Sequence, residues 1–189
     1  WVVKEVCAKL NSWSNSQVPV MPVTVNLSAK DFYQEDLEKF ILKTIQDEGV
    51  EPSLLGFEVT ETALMTDKSD AIKKLETLKA MGVKISLDDF GTGYSSLNYL
   101  QTLPIDIVKI DRSFIEKITS DERSAKITEA IITMSHALGL KVLVEGVESI
   151  DQFTHIRDIK CDFCQGFLFS KPVGEEIVEQ YLHDPQCKV

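Results

Sequence analysis

Oxygen-bearing side chains close four separate apolar-alternating runs of this 189-residue chain: Asn26 in Val25-Asn26-Leu27-Ser28, Glu58 in Phe57-Glu58-Val59-Thr60, Asp88 and Asp89 after Val83–Leu87, and Glu145 after Lys141–Val144. Carboxylate and amide oxygens are the ligands that a hard divalent cation such as Mg2+ or Mn2+ takes. Adjacent acids such as Asp88 and Asp89 repel each other and are best tolerated beside cations or water. Asn26, Glu58 and Asp88 would hold one ion. Asp89 would serve a second, bridged through Asp88, and Glu145 would hold that second ion or accept a proton from water. Two such ions can clamp both the attacking and the leaving oxygen of a phosphodiester. Lys109 lies among these acids and would orient a nucleophilic water or stabilise phosphate charge, with Asp111 positioning it through an ion pair. Taken singly, each residue also fits a strand-end acid or a solvated turn, and Lys109 fits a structural pair with Asp88 or Asp111. Their recurrence at one end of successive runs points to a site.

The elements that must position these groups alternate in type. Helical spacing of Val6, Leu10 and Trp13 predicts a first helix over 1–13. Strands are expected at Val23–Ser28, Leu55–Thr60, Val83–Asp88, Ile105–Asp111, Lys141–Glu145 and Asp162–Gly166. Between them the pattern predicts helices from Asp31 as N-cap to Glu48, over 68–81, 95–103, near 113–118, over 122–138 and 150–157, and after the last strand over 175–183. Six strands alternating with helices imply an α/β fold with a parallel sheet. One parity of the strands is apolar throughout, and the other ends in Asn26, Glu58, Asp88, Lys109, Glu145 and Gln165, so the polar groups share one face near the C-terminal ends. In a barrel they converge on one mouth, where barrel enzymes place their chemistry. The expectation is a TIM-like (β/α) barrel, incomplete, with about six of eight strands. The chain starts with Trp1 inside a helical pattern, which suits a piece of something longer.

Composition narrows the classes. The formal net charge is −10 and 43% of residues are apolar, which argues against bulk binding to a nucleic acid polymer or an anionic membrane and suits acids that hold divalent cations. No apolar run approaches membrane-spanning length and no signal peptide is present, so any membrane attachment would lie outside this chain. Cys7, Cys161, Cys164 and Cys187 include one x2-spaced pair without a second pair to complete a zinc site; free thiols in a reducing cytoplasm are expected. His136, His155 and His183 fall on predicted helices away from the strand ends, and no Ser-His-Asp or Cys-His arrangement is visible. Asp89-Phe90-Gly91 matches a kinase tripeptide, but the other kinase motifs are missing. Glu61, in Glu58-Val59-Thr60-Glu61, reads as loop support through hydrogen bonds or as a solvated acid, and Glu148 is similar.

Together, Val25-Asn26-Leu27-Ser28, Phe57-Glu58-Val59-Thr60-Glu61, Asp88-Asp89-Phe90-Gly91-Thr92-Gly93-Tyr94-Ser95-Ser96-Leu97, Lys109-Ile110-Asp111, Glu145-Gly146-Val147-Glu148 and Gln165-Gly166-Phe167 resemble the EAL family of cyclic di-GMP phosphodiesterases, over nearly the whole chain and in order. The resemblance implies a bacterial signalling hydrolase with a TIM-like barrel and a two-metal Mg2+ or Mn2+ centre that opens cyclic di-GMP to linear pGpG. It assigns metal binding to Asn26, Glu58, Asp88, Asp89 and Glu145, and contact with catalytic water to Lys109. Glu61 would hold the Asp89–Leu97 loop, which in the family couples homodimerisation to activity. Ser28, Glu148, Gln165 and the loop reaching Pro172 would belong to the substrate and support shell. An upstream sensory or cyclase domain would be in keeping with the family.

One departure is large: no Glu-Ala-Leu tripeptide occurs in the chain. The expectation is therefore a single EAL-like domain over 1–189 that lacks its N-terminal strands and one metal ligand, with weakened metals and impaired turnover. Two other readings compete. One is a receptor that binds cyclic di-GMP without cleaving it, or a dimerisation module. The other is a barrel aldolase using Lys109 as a Schiff base, which the surrounding acids disfavour by keeping the amine charged.

Overall fold

The period-two alternation of the strands becomes a sheet with one helix-covered face. Val25, Leu27, Phe57, Val59, Ile85, Leu87, Val108, Ile110, Val142 and Val144 are all buried, and each such side chain contributes on the order of 1.5–3 kcal/mol when fully removed from water. This computed structural model describes residues 1–16, 18–91 and 97–184. The strands are β1 (Val23–Leu27), β2 (Leu55–Thr60), β3 (Lys84–Phe90), β4 (Ile107–Ile110), β5 (Lys141–Val144) and β6 (Phe163–Cys164). They form one parallel sheet in the order β1-β2-β3-β4-β5-β6. Among the described residues the sheet is not closed: β1 pairs with β2 alone and β6 with β5 alone.

The helices are α1 (Val2–Asn15), α2 (Ala29–Phe32), α3 (Leu37–Glu48), α4 (Glu61–Leu64), α5 (Lys68–Ala80), α6 (Leu97–Leu100), α7 (Glu122–Ala137), α8 (Ile150–Asp158) and α9 (Glu175–His183), with 3-10 turns at Pro52–Leu54 and Arg112–Phe114. The single helix expected from Asp31 to Glu48 is instead two. Ser28 Oγ accepts the Asp31 N–H and starts α2, and α3 begins only after Asp36. The turn of helix α4 directly after β2 was not expected; Thr60 Oγ1 caps it by accepting the Ala63 N–H. Strand six is shorter than Asp162–Gly166. The loop singled out between Asp89 and Leu97 falls largely on residues 92–96, outside the described residues, as does Cys187.

The apolar core has two parts. The larger joins α1, α3, α5 and β1–β4 around Phe57, Ile85 and Leu75, and the smaller gathers Ile110, Ile115, Ile132, Val142, Val144 and Ile156 under α7 and α8. Cys7 is buried, whereas Cys161 and Cys164 are half-buried free thiols. Burial pushes the Cys161 thiol up to about 11. At the N-terminal ends of the strands one device occurs twice. Asp106, just before β4, accepts the Ile85 N–H of β3 at 2.9 Å and pairs with Lys79 of α5. Asp162, just before β6, accepts the Val142 N–H of β5 at 2.9 Å and meets His136 Nε2 of α7 at 2.8 Å. Each aspartate ties two strands and a helix together at the end of the sheet opposite the carboxylate cluster. The last helix returns to the first: Trp13 Nε1–H donates to Glu179 Oε1 at 2.7 Å, and Lys9 Nζ lies 2.9 Å from the same carboxylate.

Candidate active site

Register fixes where the polar groups stand. Asn26 faces Glu58 across β1 and β2, and Glu58 faces Ser86. Between β3 and β4 the register runs Leu87↔Val108 and then Phe90↔Ile110. Asp88 and Asp89 therefore stand opposite the single residue Lys109, which is the two-against-one pattern of a β-bulge. Asp89 takes the left-handed conformation, φ 55°, which Asp tolerates better than most residues. The bulge explains how an acid off the expected parity ends beside the site.

Lys109 is the hub. Its Nζ lies 2.5 Å from Glu58 Oε2, 3.0 Å from Asp88 Oδ1 and 2.6 Å from Glu145 Oε1. The lysine side chain is 5% exposed and the three carboxylate side chains 13%, 14% and 24%. Acids from β2, β3 and the end of β5 thus meet around a cation supplied by β4. Burial alone would push the ammonium pKa down, but the hydrogen bonds to Glu145 and Glu58 and the charge of Glu58 outweigh it and hold Lys109 well above its ordinary range. The Glu145 carboxyl is nevertheless pushed up, by burial first; Lys109 opposes this, and the Asp88 and Glu58 charges add to it. Both directions make sense together. Three carboxylates share one ammonium, which leaves two negative charges in a partly buried space.

The expected pair between Lys109 and Asp111 does not form. Asp111 Oδ1 accepts the Ser113 N–H at 3.0 Å and caps the 3-10 turn after β4, and that hydroxyl-and-amide environment lowers its pKa. Asp89 is pushed up by partial desolvation and then by the charges of Asp88 and Asp111, with Lys109 pulling the other way. Asn26 is exposed on β1 beside Glu58. Ser28 is occupied as the cap of α2, its hydroxyl 2.5 Å from Asp31 Oδ2. Glu61 is buried, 5% exposed, at the start of α4, and its Oε2 has no hydrogen-bond partner among the described residues. It borders a small apolar cavity with Leu64, Leu87, Phe90 and Tyr99. Glu148 is exposed and its N–H donates to Gln152 Oε1, part of the capping box of α8. Gln165 is exposed, but its N–H donates to Val144 O at 2.8 Å, next to Glu145. Pro172 is exposed on the loop before α9.

Two glycines seat the Glu145 end of the site. Gly146 has φ 72°, and a Cβ there would lie 2.4 Å from Arg112 Cβ. A Cβ on Gly166 would lie 2.1 Å from Val147 O. These close approaches of three loops are not apparent from spacing; the only sequence signal is a glycine directly after each of Glu145 and Gln165.

The donor set suits a hard divalent cation: every candidate ligand offers oxygen, two negative charges stay unbalanced, and the buried Asp88 Oδ1 has no well-aligned hydrogen bond although Lys109 stands within ion-pair distance. Glu58, Asp88 and Glu145 surround the Lys109 ammonium. Among the described residues no three His, Cys, Asp or Glu side chains are gathered in metal-holding geometry by themselves; the Lys109 ammonium occupies the point between them.

Comparison with known proteins identifies the family. The EAL domain family matches residues 1–172. The cyclic di-GMP phosphodiesterase NbdA of Pseudomonas aeruginosa is 40% identical over 96% of this chain, which covers 23% of NbdA. The chain spans about a quarter of the length of the curated relatives it matches. Among solved structures, the PaMucR phosphodiesterase in complex with c-di-GMP superposes with a TM-score of 0.89 at 40% identity, covering 94% of this chain and 72% of that one. The manganese and cyclic di-GMP complex of Klebsiella pneumoniae BlrP1 superposes with a TM-score of 0.79 at 26% identity, covering 90% and 44%. Families with this match are TIM-like barrels, and the open six-stranded parallel sheet is consistent with that architecture. The chain belongs to the EAL domain family.

Proposed function

We propose that this chain carries the active site of a metal-dependent phosphodiesterase that hydrolyses cyclic di-GMP to pGpG. The observation that carries the reading is the convergence of Glu58, Asp88 and Glu145, from three strands, on one buried point with two negative charges left over. Family membership and the named activity of NbdA support it. Asn26, Glu58, Asp88, Asp89 and Glu145 would hold Mg2+ or Mn2+; when bound, such ions lower the pKa of water and neutralise phosphate oxygens. The chain's own groups divide the remaining work. Glu145, its carboxyl pushed up by burial, is suited to accept a proton from water. Lys109, held charged by the surrounding acids, stabilises negative charge on phosphate oxygen. Asp111 caps the 3-10 turn that follows β4, the strand that carries Lys109. Glu61, Glu148, Gln165, Ser28 and Pro172 would form the substrate and support shell of the site.

No helix among the described residues is long and apolar enough to cross a membrane. We place the activity in the bacterial cytoplasm, on a nucleotide rather than a nucleic acid polymer, in a single domain over 1–189. A homodimer through the Asp89–Leu97 region and a sensory or cyclase partner domain complete the proposal. Because no Glu-Ala-Leu segment occurs in the chain, turnover by the chain alone is expected to be weak. The test is chromatographic detection of pGpG from cyclic di-GMP with Mn2+ or Mg2+, and its loss with a chelator, for the chain alone and joined to a Glu-Ala-Leu segment. Product from neither form would overturn the reading. Calorimetric binding of the nucleotide without product would favour a receptor.

A further inference from the structure

The hub lysine is more than one of several site residues. An ammonium has three N–H donors and no acceptor, and Lys109 faces three separate carboxylates at 2.5, 3.0 and 2.6 Å. The lysine side chain is 5% exposed. The carboxylates it engages are three of those proposed to hold metal. A dication held by these carboxylates would stand close to the ammonium, and two cations so placed repel. The two cations compete for the same three negative charges, and in a partly buried site their repulsion is poorly screened. The lysine stem is long and rotatable, so the ammonium can withdraw without moving β4. It neutralises one of three charges, which leaves the acids a net pull on a dication.

We infer that Lys109 is a built-in counter-cation that competes with the divalent ion for Glu58, Asp88 and Glu145, so that the site loads only as Lys109 withdraws. This rests on the metal-dependent reading of the site. Its consequence is coupling: the ammonium is released toward a phosphate only when the acids have found another cation. The unloaded site is thereby held together and does not present three unpaired buried carboxylates.

The experiment is calorimetric titration of MnCl2, without nucleotide, into the full chain and its Lys109→Met and Lys109→Arg variants. Lys109→Met is expected to bind Mn2+ roughly tenfold or more tightly than the unaltered chain, because the competing charge is gone. Lys109→Arg keeps the charge and should stay within about threefold. Equal or weaker binding by Lys109→Met, with the unaltered chain binding Mn2+, overturns the inference and leaves the metal reading standing. No binding by any of the three overturns the metal reading, and the inference with it. If circular dichroism shows Lys109→Met unfolded in metal-free buffer, titrated Mn2+ should refold it; failure to refold at millimolar Mn2+ overturns the inference.

Discussion

Lys109 Nζ lies 3.0 Å from Asp88 Oδ1 across a β-bulge in which Asp88 and Asp89 together oppose that one lysine. The bulge places Asp88 on the shared cation and leaves Asp89 beside it, where the Lys109 charge opposes the repulsion between the two acids. It also sets the height of Asp88 relative to Glu58 and Glu145, which come from strands on either side.

The charge on Glu145 is predicted to matter for chemistry more than for folding. Glu145→Gln keeps the shape and one acceptor oxygen but cannot take a proton. Release of pGpG should fall by on the order of 100-fold or more. The far-ultraviolet circular dichroism should be unaltered. Turnover within a few-fold of the unaltered chain would remove Glu145 from the proposed chemistry.

The contact behind Glu145 is equally specific. A Cβ on Gly166 would fall 2.1 Å from Val147 O and 2.3 Å from Val147 N, and backbone cannot yield as a side-chain tip can. Gly166→Ala is predicted to cost about 2 kcal/mol or more in urea denaturation. Gly174→Ala, where nothing lies within 4 Å of the added Cβ, should be within about 0.5 kcal/mol. Equal effects of the two would contradict the close approach.

Acid stability should depend on Asp162. Burial pushes its carboxyl up, but the His136 hydrogen bond, the Val142 N–H and the charges of His136 and Lys141 outweigh this and hold it below its ordinary value of 3.8. The folded state therefore favours the ionised form. Its contribution is present above pH 3.8 and is lost as the pH falls through the lower folded value. Asp162→Asn should lower stability at pH 7 by on the order of 1 kcal/mol and flatten the acid limb in denaturation curves taken between about pH 2 and 7. An unchanged acid limb would show that the clamp at β5 and β6 does not act through the charge.

The return of α9 to α1 hangs on few contacts. Trp13→Phe removes the 2.7 Å hydrogen bond to Glu179 while keeping an aromatic ring. Hydrogen exchange in α9 is predicted to speed up by about tenfold, with β3 and β4 unaffected. Uniform exchange in the two proteins would mean that α9 is held by its apolar face alone.

Much of this architecture is legible in the sequence because its signals are local. Alternation gives the strands to within a few residues, and Asn26, Glu58, Asp88, Lys109 and Glu145 stand out as polar residues on an otherwise apolar set of runs. The break after α2 is harder to see, because the Ser28 cap competes with Asp31 as a helix start. The partner of Lys109 is not legible. Asp111 is two residues away in the chain, but it lies past the end of β4 and its carboxylate caps the 3-10 turn by accepting the Ser113 N–H, while the sheet brings Glu58, Asp88 and Glu145 in from β2, β3 and the end of β5. Nor does spacing reveal the bulge at Asp88-Asp89 or the contact of Gly166 with Val147, both of which depend on how separate segments meet.

Crystals grown with Mn2+ and examined by anomalous scattering test the central claim most directly. The account predicts a manganese peak ligated by carboxylate oxygens of Glu58, Asp88 and Glu145, with the Lys109 ammonium withdrawn from the point it now occupies. Saturating Mn2+ with no peak there, and Lys109 still paired with all three acids, would contradict it.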